Sequence, residues 1–295
     1  MGSPSAAIEP VVERHPVAPG VELAARRWRP ADPAGSGPPF LLVHGLASNA
    51  RTWDGVGTAL AAAGREAVAI DLRGHGRSSK PDVGYDVTTV ALDLAAAIDR
   101  LGLERPVVAG QSWGGNVVLE LGARAPGRLR GVVGVDGGLI ELRRRFGDWE
   151  ACARELAPPR LAGRPLVELE RRIRAWHPDW PESGIAGTLA NFEVRPDGTI
   201  APWLTFERHL TVLRGLWEHD PTALLRDYPL PLLIAIADGG DDRASEKRAS
   251  VERARALLPG LRVAAFPGAD HDIHAQRPAE LASLLLAFPS EGPER

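Results

Sequence analysis

The chain has 295 residues, 44% of them hydrophobic and 25% charged, the composition of a globular protein large enough to bury a full core. A net charge of −3 gives no electrostatic footing for nucleic acid, and the single cysteine, Cys152, excludes an intramolecular disulfide or a multi-cysteine zinc site. No run is long and apolar enough to span a bilayer, and residues 1–20 carry no apolar signal segment, so a cytoplasmic protein without a membrane partner is expected.

The predicted elements alternate along the chain. Residues 21–28 alternate enough for an early strand, and the Pro/Gly/Ser stretch from Pro30 to Pro39 turns the chain into a short apolar run at 40–43. A helix is predicted over 52–63, ending at Gly64, then a strand over 67–70. Residues 87–101 space Val90, Leu94, Ala97, Ile98 and Leu101 as one helical face, with Gly102 at its end. Strands follow at 107–109, 132–135, 232–236 and 262–266, and helices at 116–124, 245–258 and 278–288. Unalternating runs of this length fit strands buried on both faces. Repeated strand–helix order predicts an α/β fold with a mostly parallel sheet, whose chemistry sits beyond the carboxyl ends of the strands.

The alternation breaks between about 138 and 228. That stretch has helical patterns near 140–157, 164–176 and 203–217, a small hairpin turning at Pro196-Asp197-Gly198, and five of the eight tryptophans. It is expected to be a helical cap over the sheet edge, leaving 1–137 and 229–295 as the core. Most of its tryptophans should only pack; Trp149 and Trp217 are the candidates for lining an apolar pocket.

The strongest chemical signal is Gly110-Gln111-Ser112-Trp113-Gly114-Gly115, between a predicted strand and a predicted helix. This is G-x-S-x-G in the context it needs, a sharp turn that lifts the Ser112 hydroxyl above the sheet. The Trp113 N–H and the helix N-terminus then point at developing negative charge. A serine hydroxyl needs a base. Of eight histidines, His271, just past the last strand, is the best candidate, with His274 as its rival. The turn His44-Gly45-Leu46 after the strand at 40–43 can supply a second oxyanion donor, the Leu46 N–H. His44 is expected to buttress that loop and is a candidate substrate contact, as is Trp113.

These segments, with Asp71-Leu72-Arg73-Gly74-His75-Gly76-Arg77-Ser78, resemble the α/β-hydrolase superfamily, in its cap-bearing branch of esterases and haloperoxidase-like hydrolases. The resemblance covers nearly the whole chain outside the cap. It implies an eight-stranded sheet, a Ser–acid–His triad, hydrolase activity on a small-molecule substrate, and no cofactor. One departure is Asp270, where relatives usually have glycine before the histidine. The order Ser…Asp…His leaves two places for the acid. One is Asp136, at the end of the strand at 132–135; the other is the loop Ala237-Asp238-Gly239-Gly240-Asp241-Asp242, where Asp241 fits best and Asp238 and Asp242 stand behind it.

The reading that results is a serine hydrolase of esters or lactones. Amide or peptide cleavage of the proline-iminopeptidase type, perhydrolysis, and a non-catalytic small-molecule receptor on the same fold are the alternatives. The short basic runs Arg143-Arg144-Arg145 and Arg171-Arg172 lie among acidic residues and read as solvated helix faces, and no metal site is indicated.

Overall fold

Short apolar runs become the central strands because a chain buried on both faces has no polar side to show. The structure, a computed structural model, describes residues 9–31, 37–239 and 242–288. Its first half runs β1 (Val11–Ala18), β2 (Val21–Trp28), β3 (Phe40–Val43), α1 (Asp54–Ala62), β4 (Ala67–Asp71), α2 (Val87–Leu101), β5 (Val107–Gln111), α3 (Trp113–Arg124) and β6 (Gly131–Val135). Next come α4 (Leu142–Phe146), α5 (Trp149–Glu155), α6 (Leu166–Trp176), α7 (Glu182–Leu189), β7 (Phe192–Val194), β8 (Ile200–Pro202) and α8 (Phe206–Glu218). The chain closes with β9 (Leu232–Asp238), α9 (Asp242–Leu257), β10 (Arg262–Pro267), α10 (Ile273–Gln276) and α11 (Pro278–Ala287).

Eight strands form one sheet in the order β1-β2-β4-β3-β5-β6-β9-β10, antiparallel at the β1/β2 and β2/β4 pairs and parallel from β4 onward. The expected eight-stranded, mostly parallel sheet is therefore present. Strands β3 to β6 are buried along their whole length. One face packs on Trp28, Trp53, Leu60, Leu281 and Leu285; the other packs on Val90, Leu94, Val117, Val118 and Leu121. The strand order reverses around β3, so the crevice for chemistry opens at the carboxyl ends of β3 and β5.

Local signals set the element ends. Asp86 caps α2 by accepting from Thr89 N at 2.8 Å, and Gly102 closes it at φ 65°. The helical pattern near 140–157 resolves into α4 and α5, because Gly147 turns the chain at φ 75° and Asp148 caps a new helix on Ala151 N. The hairpin β7/β8 and helices α6 and α8 lie where the pattern put them. Strand β1, α7 and α10 carry no clear signal. In β1 most side chains stay partly exposed at the sheet edge, and Pro16 sits at a break in register, where a missing N–H is tolerated.

The elements between β6 and β9 attach in two ways. Leu142, Cys152, Leu204, Val212, Leu213 and Leu216 join the larger core cluster, whereas Leu169, Ile173, Trp180, Ile185 and Ile200 form a small cluster closed by Ala275. A buried polar network fixes the end of α8 to α3. The His219 ring donates through Nε2 to Glu120 (3.3 Å) and accepts at Nδ1 from Asn116 (3.1 Å). Asn116 also receives the N–H groups of Gly138 and Ile140, so the loop after β6 is held by α3. The His219 bond, with Thr88 and Arg124 alongside and against the cost of burial, holds Glu120 down to about 2.

A carboxylate held that low stabilises the fold above its unfolded pKa and loses the effect as pH falls through its folded one. Glu120→Gln should therefore be less stable than wild type at neutral pH. In denaturant titrations the gap should close as pH drops from about 4.5 towards about 2. A gap that stays constant across that window would contradict the assignment.

Candidate active site

The turn at Ser112 exists because its neighbours have no side chains. Ser112 adopts φ 52°, ψ −121°, a region costing about 1–3 kcal/mol for a residue with a Cβ. A side chain at Gly110 would strike the carbonyl of Gly114, and one at Gly137 would strike the Ser112 backbone. Ser112 N donates to Val135 O at 3.0 Å and Ser112 O accepts from Gly115 N at 2.9 Å, which locks the strained residue between β6 and α3. Trp113 opens α3, where an N–H has no partner one turn back.

Beyond β3, Leu46 and Ala47 are the central residues of a turn closed by Ser48 N on Gly45 O (3.3 Å), with Ala47 at φ 58°. The turn does not use the Leu46 N–H. Leu46 and Trp113 both line the same cavity as Ser112. His44 is fully buried. Its Nδ1 donates to Gly45 O (2.8 Å) and its Nε2 accepts from Leu72 N (3.0 Å), which fixes one neutral tautomer, and burial lowers its pKa to about 4. It braces the turn after β3 and is not among the residues that line the cavity, where it was expected as a substrate contact. Behind it His75 packs between His44 and the Trp113 ring. That ring is wholly buried, so Trp113 meets the cavity at its backbone.

At the end of β6, Asp136 takes φ 44°, and its side chain is 1% exposed. Its Oδ1 accepts from Ala237 N at 2.9 Å, and its Oδ2 accepts from His271 Nδ1 at 2.5 Å and from Lys247 Nζ at 2.6 Å. Burial opposes the charged carboxylate, but the hydrogen bonds and charges of His271 and Lys247 hold Asp136 below the usual carboxylate range. With Nδ1 donating to a carboxylate, His271 Nε2 is left as the nitrogen able to accept a proton. Desolvation alone would lower this imidazole; the Asp136 bond and the charges of Asp272 and Asp136 outweigh it and hold the pKa above its ordinary value. Gln111 Nε2 steadies the same loop by donating to His271 O at 3.3 Å. Ser112 and His271 line one cavity with no direct hydrogen bond between them, a contact that commonly tightens only when substrate binds.

The rivals fall elsewhere. His274 is fully buried, lies tilted against the Trp53 ring at 4.6 Å and bonds Thr52 Oγ1 at 3.1 Å. Asp238 pairs with Arg248 at 2.9 Å. Asp242 opens α9, and Asp241 lies outside the described residues. Among the described candidate acids, Asp136 is the one in contact with His271.

The cavity has a volume of about 810 Å³. Leu139, Ile140, Leu142, Leu156, Leu213 and Leu216 give it an apolar wall, and Glu141, Arg144, Arg145, Glu246, Lys247 and Arg253 carry its charged side. Trp149 and Trp217, expected on that wall, are not on it. Their rings meet edge to face at 6.2 Å, with Arg214 over one and Arg143 over the other. They hold α5 against α8, so the leucines of those segments reach the cavity instead. Trp180 does a different job: its Nε1 donates to Asp270 at 2.9 Å, with His177 on the same oxygen at 3.3 Å. The residue that breaks the family pattern before His271 is thus tied to the helical insertion. Sequence reasoning also missed Lys247 and His209, which lines the cavity from α8. The one available signal for Lys247 was its rarity, as one of only two lysines in the chain.

A family model described as "Alpha/beta hydrolase family" matches residues 40–284. The 2-(acetamidomethylene)succinate hydrolase of Mesorhizobium japonicum is 28% identical over 86% of this chain and 88% of that protein. The non-heme chloroperoxidase of Streptomyces lividans is 27% identical over 91% and 96%, and a putative carbamate hydrolase of Azorhizobium caulinodans is 29% identical over 87% and 93%. Among solved structures, that of E-2-(acetamidomethylene)succinate hydrolase superposes with a TM-score of 0.77 at 24% identity, covering 95% of this chain and 99% of that one.

The His271–Asp136 contact predicts that His271 titrates above the ordinary imidazole value of about 6.5. Removing the charge in Asp136→Asn should bring it to or below that value. Ring proton chemical shifts followed against pH check both; an unmoved titration in the variant would break the link.

Proposed function

We propose, on the premise that this chain belongs to the alpha/beta hydrolase family, that it hydrolyses carboxylic esters or lactones of apolar small molecules with Ser112, His271 and Asp136 as its triad. The observation that carries this reading is the 2.5 Å contact between Asp136 and His271 Nδ1 in a cavity shared with Ser112 and the Leu46 and Trp113 amides. Hydrolase relatives over most of the chain support it.

Ser112 Oγ attacks the carbonyl carbon as His271 Nε2 takes its proton, and Asp136 faces the imidazolium that forms. The carbonyl oxygen becomes an oxyanion between the N–H groups of Leu46 and Trp113, where one donor is worth about 3–4 kcal/mol in the transition state. The alcohol leaves with the proton from His271. Water, deprotonated by the same nitrogen, then attacks the acyl-enzyme and releases acid and free Ser112. Residues 138–228 act as the cap in this reading, with Leu142, Leu156, Leu213 and Leu216 receiving the apolar part of the substrate. A cytoplasmic location fits a chain whose lone thiol, Cys152, is buried and free.

A second reading is amide hydrolysis. It is favoured by relatives named for an acetamidomethylene succinate and a carbamate, and it would use the same triad with His271 protonating an amine.

Chromogenic esters from acetate to octanoate separate these outcomes. Medium acyl chains should be turned over faster than acetate, and Ser112→Ala should abolish turnover of all of them. Full activity in Ser112→Ala would overturn the triad, and a preference for acetate would overturn the apolar pocket. Leu213→Trp should shift the chain-length optimum downward by filling that pocket.

A further inference from the structure

Lys247 is placed where a lysine is hard to treat as ordinary surface charge. Its side chain is 28% exposed and its residue lines the catalytic cavity, yet two of its three donors are committed. One goes to Asp136 Oδ2 at 2.6 Å and one to Ala237 O at 3.1 Å. The carboxylate oxygen it holds is the same atom that accepts from His271 at 2.5 Å. Arginine supplies almost all the positive charge elsewhere; the site uses a compact ammonium that fits beside a buried carboxylate oxygen already shared with an imidazole.

We propose that Lys247 is a positioning residue of the site: its ammonium orients the Asp136 carboxylate towards His271 and offsets its charge, so that the imidazole gives up its ring proton more readily than it would beside the carboxylate alone. The inference rests on the proposed triad.

A buried carboxylate touching an imidazole, with no other partner, favours the ion pair and keeps the ring protonated. A base that is always protonated cannot take the serine proton. An ammonium on the same oxygen makes the Asp136–Lys247 pair neutral overall and weakens the hold on the ring proton. His271 faces other charges as well. Asp270 and Asp272 flank it on its own loop, with Asp272 adding to the pull on the proton; His274 lies on α10; and His177 reaches Asp270 from the insertion. Among these neighbours, Lys247 is the cation that opposes protonation of His271. Both Asp136 oxygens keep a partner without it, from Ala237 N and His271, so removing its charge does not strip the carboxylate bare.

The test is the titration of the His271 ring by NMR in wild type, K247M, K247Q and K247R, with melting curves to confirm folding. Loss of a like charge at this range moves a neighbouring pKa by about one unit or more. The ring pKa should therefore rise by about one unit in K247M and K247Q and stay near wild type in K247R. If the esters above are substrates, the acid limb of kcat/KM should move up with it. The neutral variants would then run about tenfold slower below the limb and approach wild type above it. An unchanged ring pKa in a folded K247M or K247Q would overturn the proposal, and so would an activity loss equal at every pH. Because the ring titration needs no turnover, a raised pKa in variants of a protein that cleaves no ester would support the role of Lys247 while overturning the ester reading.

Discussion

One buried carboxylate oxygen organises this site. Asp136 Oδ2 sits at the end of β6, out of solvent, and takes bonds from the His271 loop and from α9 while its partner oxygen takes one from β9. A buried charge is tolerable only when its lone pairs are filled, so these contacts hold the site together as well as shaping its chemistry. The positive φ at Asp136 is the backbone strain accepted to aim that carboxylate back across the strand ends.

The sheet makes this possible by crowding its own backbone. Gly114 packs against the His44 backbone and Gly137 against the Ser112 backbone too closely for a Cβ, so the Ser112 turn, the turn after β3 and the end of β6 are packed as one unit. Buried histidines complete the support. His44 and His75 stay neutral, with burial lowering them to about 4 and about 3, and they brace the loop and the Trp113 ring rather than titrating with the catalytic base. The insertion is held on one side by Trp180 and His177 on Asp270 and on the other by Glu120, His219 and Asn116. Its leucines therefore meet the cavity at fixed positions.

The parallel sheet and the nucleophile turn were legible in the residues because both depend on local pattern: unalternating apolar runs, and glycines where the backbone passes too close for a Cβ. The place of His271 just after the last strand is legible in the same way. The partner of His271 is not legible, because sequence spacing cannot say which strand end faces the histidine; the contact of Asp136 with Nδ1 is visible only in the structure. The tryptophans misled for a related reason. Large aromatic rings often line pockets, but Trp149 and Trp217 bury each other, and smaller leucines from the same segments face the substrate space. Lys247 was invisible because its importance is a distance across more than a hundred residues of chain.

The central claim is that Ser112 is a nucleophile activated by His271. Intact-mass and peptide mass spectrometry after treatment with a fluorophosphonate tests it most directly, since such a reagent reacts much faster with a serine whose proton is being removed than with an ordinary hydroxyl. The account predicts a single adduct, on the peptide carrying Ser112, which fails to form in His271→Ala. An unlabelled protein, or labelling that persists without His271, would contradict it.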